Sequence, residues 1–155
     1  MLSVLFVCVA NTCRSPCLEA ILSFLCHKNR CRDRVFIDSC GISPHCGGRE
    51  ADIRMKQAAL KYHVTIDHTS KPFDQFFFEV FDLILPVDQN VKEYLLSICP
   101  IHCKHKIELV TLFSQNYTQQ SMPDPYEKGY FEYETTFKMA WDCCEGILQK
   151  VKENI

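Results

Sequence analysis

The passage from Leu2 to Leu25 constrains this chain more than any other. An apolar run, Leu2-Ser3-Val4-Leu5-Phe6-Val7-Cys8, breaks into a short polar loop, Val9-Ala10-Asn11-Thr12-Cys13-Arg14, and the chain then meets Ser15-Pro16. A Val/Leu/Phe run without polar alternation suits a strand covered on both faces, as in a parallel sheet. Ser15 is a good helix N-cap and Pro16 a good first helical residue. Cys17, Leu18, Ile21, Leu22 and Leu25 then share one helical face. Such a unit opens an α/β sheet, and ligands of these sheets bind where a strand turns into its helix.

The rest of the chain repeats the alternation. Val35-Phe36-Ile37, Phe81 to Leu85 and Ile107 to Val110 read as further strands. Between them, residues 50–62 read as a helix, with Ile53, Met55, Ala58, Ala59 and Tyr62 as its buried positions. Asp88 caps a helix reaching about Cys99, and a last helix covers about 130–151. Residues 113–129 are polar and turn-rich, with Pro123 and Pro125. The order β-α-β-α-β-α-β-α predicts a four-stranded, mostly parallel sheet with helices on both faces. No Gly/Ser tract or internal repeat interrupts it, so residues 1–155 are expected to form one domain.

The loop at Cys8 carries the chemistry. It is a cysteine, five residues, an arginine and a hydroxyl residue, a pattern expected by chance about 0.04 times in a chain of this composition. Five residues between strand and helix can wrap one tetrahedral anion, with successive amides of Val9, Ala10, Asn11, Thr12 and Cys13 forming a nest. The helix start adds its positive end, and the Arg14 fork can grip two phosphoryl oxygens. The same field favours a thiolate at Cys8, which would attack phosphorus and form a cysteinyl-phosphate. Ser15 could donate to the Cys8 sulfur as it leaves. The looser spacing recurs at Cys26 and Arg32, but late in a helix, with no strand before it and Asp33 in place of the hydroxyl.

Composition excludes several alternatives. The net charge of −2 supplies no positive field for nucleic acid or anionic membrane. No stretch approaches the roughly 20 apolar residues of a membrane span. Eleven cysteines invite a disulfide scaffold. However, the count is odd, the apolar start has no preceding positive charge, and it ends in Asn11-Thr12-Cys13-Arg14 rather than a small-residue cleavage site. A cytoplasmic protein with reduced thiols, most of them filling core space, is therefore expected.

The stretch Val7-Cys8-Val9-Ala10-Asn11-Thr12-Cys13-Arg14-Ser15-Pro16, with the late Asp124-Pro125-Tyr126, resembles the signature of the low-molecular-weight protein tyrosine phosphatases. The resemblance covers essentially the whole chain. It implies a flavodoxin-like, three-layer α/β/α fold and metal-independent hydrolysis of phosphotyrosine in proteins, with no cofactor. The partner is then a phosphorylated protein, met by a monomer or weak dimer. Asp124, held between two prolines, becomes the general acid and then the base. Asn11 would pin the loop, braced by Ser39 and His68, which lie in the matching segments Asp38-Ser39 and Asp67-His68. His45 and Tyr126 would line the walls and sandwich a phenyl ring. Under peroxide, Cys13 could trap Cys8 as a disulfide.

This chain departs from the family at several positions. Ala10 stands where Gly is usual, so that position should have negative φ or bear strain. Glu127 replaces a second Tyr of many eukaryotic members, and an acidic rim would disfavour acid-flanked peptides. Thr12 replaces the Ile common in the tyrosine-specific branch, and a bacterial branch resembling protein arginine phosphatases has Thr there. Phosphotyrosine is the favoured substrate and phosphoarginine the alternative. Arsenate reduction is more distant, because Pro86 occupies the place where a relay cysteine would be needed. Cys99, His102, Cys103 and His105 crowd four soft ligands into seven residues, but zinc sites favour paired knuckles over a longer span, so no metal is expected.

Overall fold

A computed structural model describes residues 1–118 and 120–153. Its first strand, β1 (Leu2–Cys8), is the apolar run. Val4, Leu5, Phe6 and Val7 are all fully buried. Since successive strand residues point to opposite faces, both faces of the sheet are covered. Strand β2 (Val35–Gly41) pairs in parallel with β1 along its whole length, from Leu2 opposite Val35 to Cys8 opposite Gly41. Strand β3 (Leu83–Pro86) pairs in parallel on the other side, from Val4 opposite Leu83 to Val7 opposite Pro86. The order is β2-β1-β3.

The sheet thus has three strands, not the four expected. At the fourth candidate only Ile107 bridges Ile84, and Glu108 N–H donates to the Ile84 carbonyl at 3.2 Å. The chain then turns into a 3-10 helix, Val110–Phe113. Ile107 and Val110 are the buried residues of this segment. Their spacing of three suits a 3-10 turn rather than the period of two that a strand requires.

The helices are α1 (Arg14–Lys28), α2 (Ile53–Leu60), a short α3 (Phe77–Val80), α4 (Gln89–Ile98) and α5 (Tyr130–Glu153). Helix α1 packs against α5 and the first two strands, α2 joins α5, and α4 lies against β3. Phe24, Tyr62, Phe137 and Trp141 form an aromatic cluster between α1, α2 and α5, with Tyr62 and Phe137 stacked at 4.7 Å. One cap matches the sequence reading: Asp88 accepts from Val91 N at the start of α4. A second was not anticipated: Asp52 accepts from Arg54 N and Met55 N at the start of α2. Ser15 does not cap α1. That helix starts two residues earlier, at Arg14 behind Cys13, with no side-chain cap, because the Ser15 hydroxyl is engaged at Cys8.

All 11 cysteines are buried free thiols. Burial pushes the Cys26 thiol, which also feels Cys31, and the Cys143 thiol up to about 12. No described helix is long and apolar enough to cross a membrane. The three parallel strands end together at Cys8, Gly41 and Pro86, and the segments that follow them meet at this edge of the sheet.

Candidate active site

The loop after β1 is held from outside by its carbonyls. Ile42 N–H donates to Cys8 O, Ser43 N–H to Val9 O and Asp52 N–H to Thr12 O, at 2.9, 3.0 and 2.7 Å. With these carbonyls drawn outward, the loop amides turn toward the cleft, and Asn11 N–H donates to Cys8 Sγ at 3.2 Å. Gly41 makes room for this arrangement, since a Cβ there would meet Val9 O at 2.5 Å and Asn11 N at 3.0 Å.

Asn11 is the pin. It adopts a left-handed φ of 55°, whereas Ala10 has no positive φ. Its Nδ2 donates to Ser15 Oγ at 2.8 Å and Ser39 Oγ at 3.0 Å. Its Oδ1 accepts from Lys71 N at 2.9 Å and lies 2.8 Å from His68 Nε2. Because that oxygen can only accept, His68 carries its proton on Nε2. Burial lowers the His68 pKa, which favours this neutral tautomer. The Ser39 hydroxyl in turn donates to Glu19 Oε1 at 2.6 Å. Asn11→Ala should therefore cost about 1–3 kcal/mol of stability, since it removes the side-chain bonds of a fully buried group held at a positive φ. Urea denaturation measures this, and an unchanged midpoint would contradict it.

Glu19 titrates unusually. Burial raises its carboxyl above the ordinary value, partly offset by the Ser39 hydrogen bond. A raised folded value means that its contribution to stability is full below about pH 4.3 and is lost as pH rises through the folded value. Glu19→Gln keeps an accepting oxygen without the charge. Its stability relative to the parent should rise between about pH 4 and neutrality. A difference constant with pH in denaturation curves would refute burial as the cause.

Cys8 Sγ lies 2.9 Å from Ser15 Oγ at the base of a cleft of about 230 Å³. Cys8, Val9, Ala10, Thr12, Cys13, Arg14, Arg49, Asp124 and Tyr126 line it. Larger hollows of about 530 and 510 Å³ lie elsewhere, but none of these loop residues faces them. Arg14 is 4% exposed. Its Nη1 donates to Asp88 Oδ2 at 2.7 Å and to Met122 O at 2.9 Å. Its Nη2 is 3.9 Å from Asp124 Oδ2. One edge of the guanidinium is thus fixed by Asp88 and the chain at Met122, and the other side faces the cleft. Asp124 is half exposed at the mouth, its Oδ1 accepting from Tyr126 N at 3.1 Å. Met122 N–H donates to Val87 O at 2.9 Å, which anchors this loop to the end of β3.

The structure therefore brings Cys8, Arg14 and Asp124 to one cleft, with Ser15 at the sulfur and Ser39 and His68 behind Asn11. His45 is exposed and absent from the lining; Arg49, from the same β2–α2 segment, takes a place there instead. Glu127 does not line the cleft either. Sequence reasoning missed Arg49, Glu19, the grip of Asp88 on Arg14, and Asp52, which ties Thr12 O to α2 and accepts from Tyr133 Oη at 2.9 Å. Only Asp88 had a signal, as a helix cap, and its second carboxyl oxygen was free for another partner. Burial pushes the Cys13 thiol far up, so it stays protonated beside Cys8.

Comparison with known proteins gives one consistent result. Residues 3–155 match the family model described as low molecular weight phosphotyrosine protein phosphatase. A chicken (Gallus gallus) protein of that description is 31% identical over 150 residues, spanning 96% of this chain and 94% of its own. The crystal structure of a protein tyrosine phosphatase from Entamoeba histolytica superposes with a TM-score of 0.94 at 29% identity, covering 99% of this chain and 98% of that one. The arginine phosphatase YwlE of Bacillus subtilis shares the fold, with a TM-score of 0.86 at 21% identity, covering 98% of this chain and 97% of its own.

Proposed function

The chain belongs to the low molecular weight phosphotyrosine protein phosphatase family, and from that premise we propose that it hydrolyses phosphotyrosine in proteins through a phosphorylated Cys8. The observation that carries this reading is the meeting of Cys8, Arg14 and Asp124 in one cleft. In the first step Cys8 Sγ attacks phosphorus, the S–P bond forms, and the P–O bond to the tyrosyl ring breaks. Asp124 gives its proton to the departing oxygen. Arg14 and the loop amides hold the three remaining phosphoryl oxygens, whose charge grows toward the five-coordinate state. Asp88 aligns the guanidinium beforehand, so little is lost to reorganisation. In the second step Asp124 takes a proton from water, the water oxygen attacks phosphorus, and Cys8 leaves with the Ser15 hydroxyl beside its sulfur.

Phosphotyrosine is favoured over phosphoarginine by the cleft walls. Tyr126 offers an aromatic face for a phenyl ring. Arg49 adds a positive charge beside Arg14, which attracts a phosphoaryl group and its acidic flanks and repels a guanidinium. Acidic flanking residues are therefore tolerated. The reading takes residues 1–155 as one phosphatase unit working on a phosphorylated protein.

The test is a side-by-side assay of phosphotyrosine and phosphoarginine peptides with the parent and Thr12→Ile. The parent should show the higher kcat/KM on phosphotyrosine, and Thr12→Ile should retain it. A higher kcat/KM on phosphoarginine that falls in Thr12→Ile would replace this substrate with the other. Vanadate should compete with either, because it mimics the five-coordinate state.

A further inference from the structure

Cys99, His102, Cys103 and His105 form a ligand-rich cluster that catalysis does not use, and the fold divides it. His102 and Cys103, in the 3-10 helix Ile101–Lys106, meet Glu79 of α3. Glu79 is three residues before Asp82, which bonds to Ser3 at the start of β1. The group therefore lies toward the amino ends of the strands, away from the cleft at their carboxyl ends. We propose that Glu79, His102 and Cys103 form a zinc-type cation site that clips α3 to the 3-10 helix.

Donor chemistry and spacing carry this. Carboxylate oxygen, imidazole nitrogen and thiolate are the three donor types of protein zinc sites. The three ligand atoms lie within 4.8 Å of one another. Glu79 Oε1 is 2.7 Å from His102 Nε2 and 3.7 Å from Cys103 Sγ. Tetrahedral zinc, with bonds of about 2.0 Å to oxygen or nitrogen and about 2.3 Å to sulfur, separates its donors by about 3.3–3.5 Å. Small side-chain rotations of Glu79 and His102 reach that spacing. Both are surface side chains, 51% and 68% exposed.

Cys103 is fully buried and supplies the floor. Its thiol points at a carboxylate, whereas the Cys99 thiol donates to Pro100 O and the Cys144 thiol to Leu18 O. Three protein donors leave the fourth position to water on the exposed side. On binding, the Glu79–His102 hydrogen bond breaks, the proton on His102 Nε2 moves through solvent to Nδ1, the Cys103 thiol proton passes to solvent, and bonds form from the metal to oxygen, Nε2 and sulfur, with no electron transfer. A dication with one carboxylate and one thiolate is neutral overall, which suits its position beside Lys104 and Lys106. Lys106 Nζ is itself held by Phe78 O at 2.7 Å. The expected role is a staple across the segments flanking β3, stabilising the fold by mass action without altering turnover.

Zinc and cobalt titration of tag-free, chelator-stripped protein tests this in a Cys8→Ser background, which removes the catalytic sulfur as a competing ligand. One equivalent of zinc should bind and raise Tm, and cobalt should show a thiolate charge-transfer band. Cys103→Ser should abolish the band. Since Cys103 is buried and its replacement puts the fold at risk, Glu79→Gln and His102→Ala serve as surface variants, each lowering zinc affinity about tenfold or more. Cys99→Ser and His105→Ala should leave band and affinity intact. In the protein with Cys8 present, Glu79→Gln should hydrolyse p-nitrophenyl phosphate at the parental rate. No bound zinc, a band that survives Cys103→Ser or vanishes in Cys99→Ser, or an affinity indifferent to Glu79→Gln and His102→Ala overturns the proposal.

Discussion

Cys8→Ser is expected to lower phosphotyrosine hydrolysis by about 10⁴-fold or more, the order seen when a nucleophile is removed from an enzyme whose residues act as a unit. A serine hydroxyl at the strand end is a far weaker nucleophile than a thiolate and has no base within the loop to activate it. The cradle that holds the anion should survive, because it is built from backbone and other side chains. The outward bonds from Ile42, Ser43 and Asp52, the Asn11 pin and the Asp88 grip on Arg14 do not need the sulfur. Inorganic phosphate should therefore still bind, as read by calorimetry. Retained turnover would refute the covalent mechanism. Lost turnover together with lost phosphate binding would show instead that the sulfur shapes the loop.

Asp124→Asn is expected to slow hydrolysis by about 10²–10⁴-fold for a poor leaving group such as phosphotyrosine, and much less for p-nitrophenyl phosphate, whose departing oxygen scarcely needs a proton. Equal losses on both esters would remove Asp124 from the acid role and leave it as an electrostatic neighbour of Arg14, 3.9 Å away. Two features support the acid role: Asp124 is half exposed at the mouth of the cleft, and its backbone is tied through Met122 to the end of β3.

Local pattern sufficed where a residue has one partner class. The Leu2–Cys8 run reads as a strand buried on both faces and is one. Asp88 reads as a cap and is one. Pattern failed where a residue has competing partners. Ser15-Pro16 reads as a helix start, yet the hydroxyl bonds to Cys8, and α1 starts uncapped. The apolar pattern marks a strand only at Val35-Phe36-Ile37, yet Asp38-Ser39-Cys40-Gly41 completes β2. There Ser39 is buried and satisfied by Asn11 and Glu19.

The first 16 residues alone determined the chemical type of this protein: a cysteine at a strand end, an anion-sized loop, an arginine and a helix start. Those features are contiguous, so short-range sterics and backbone hydrogen bonding already specify them. Tertiary structure decided which distant groups complete the site. Asp88 is 74 residues from Arg14 and Met122 is 108, and both hold the guanidinium. Arg49 rather than His45 reached the cleft. Ile107 and Val110 became a bridge and a turn instead of a fourth strand. Each outcome depends on which buried polar or apolar group finds a partner across the fold, and that balance is set only when the packed elements meet.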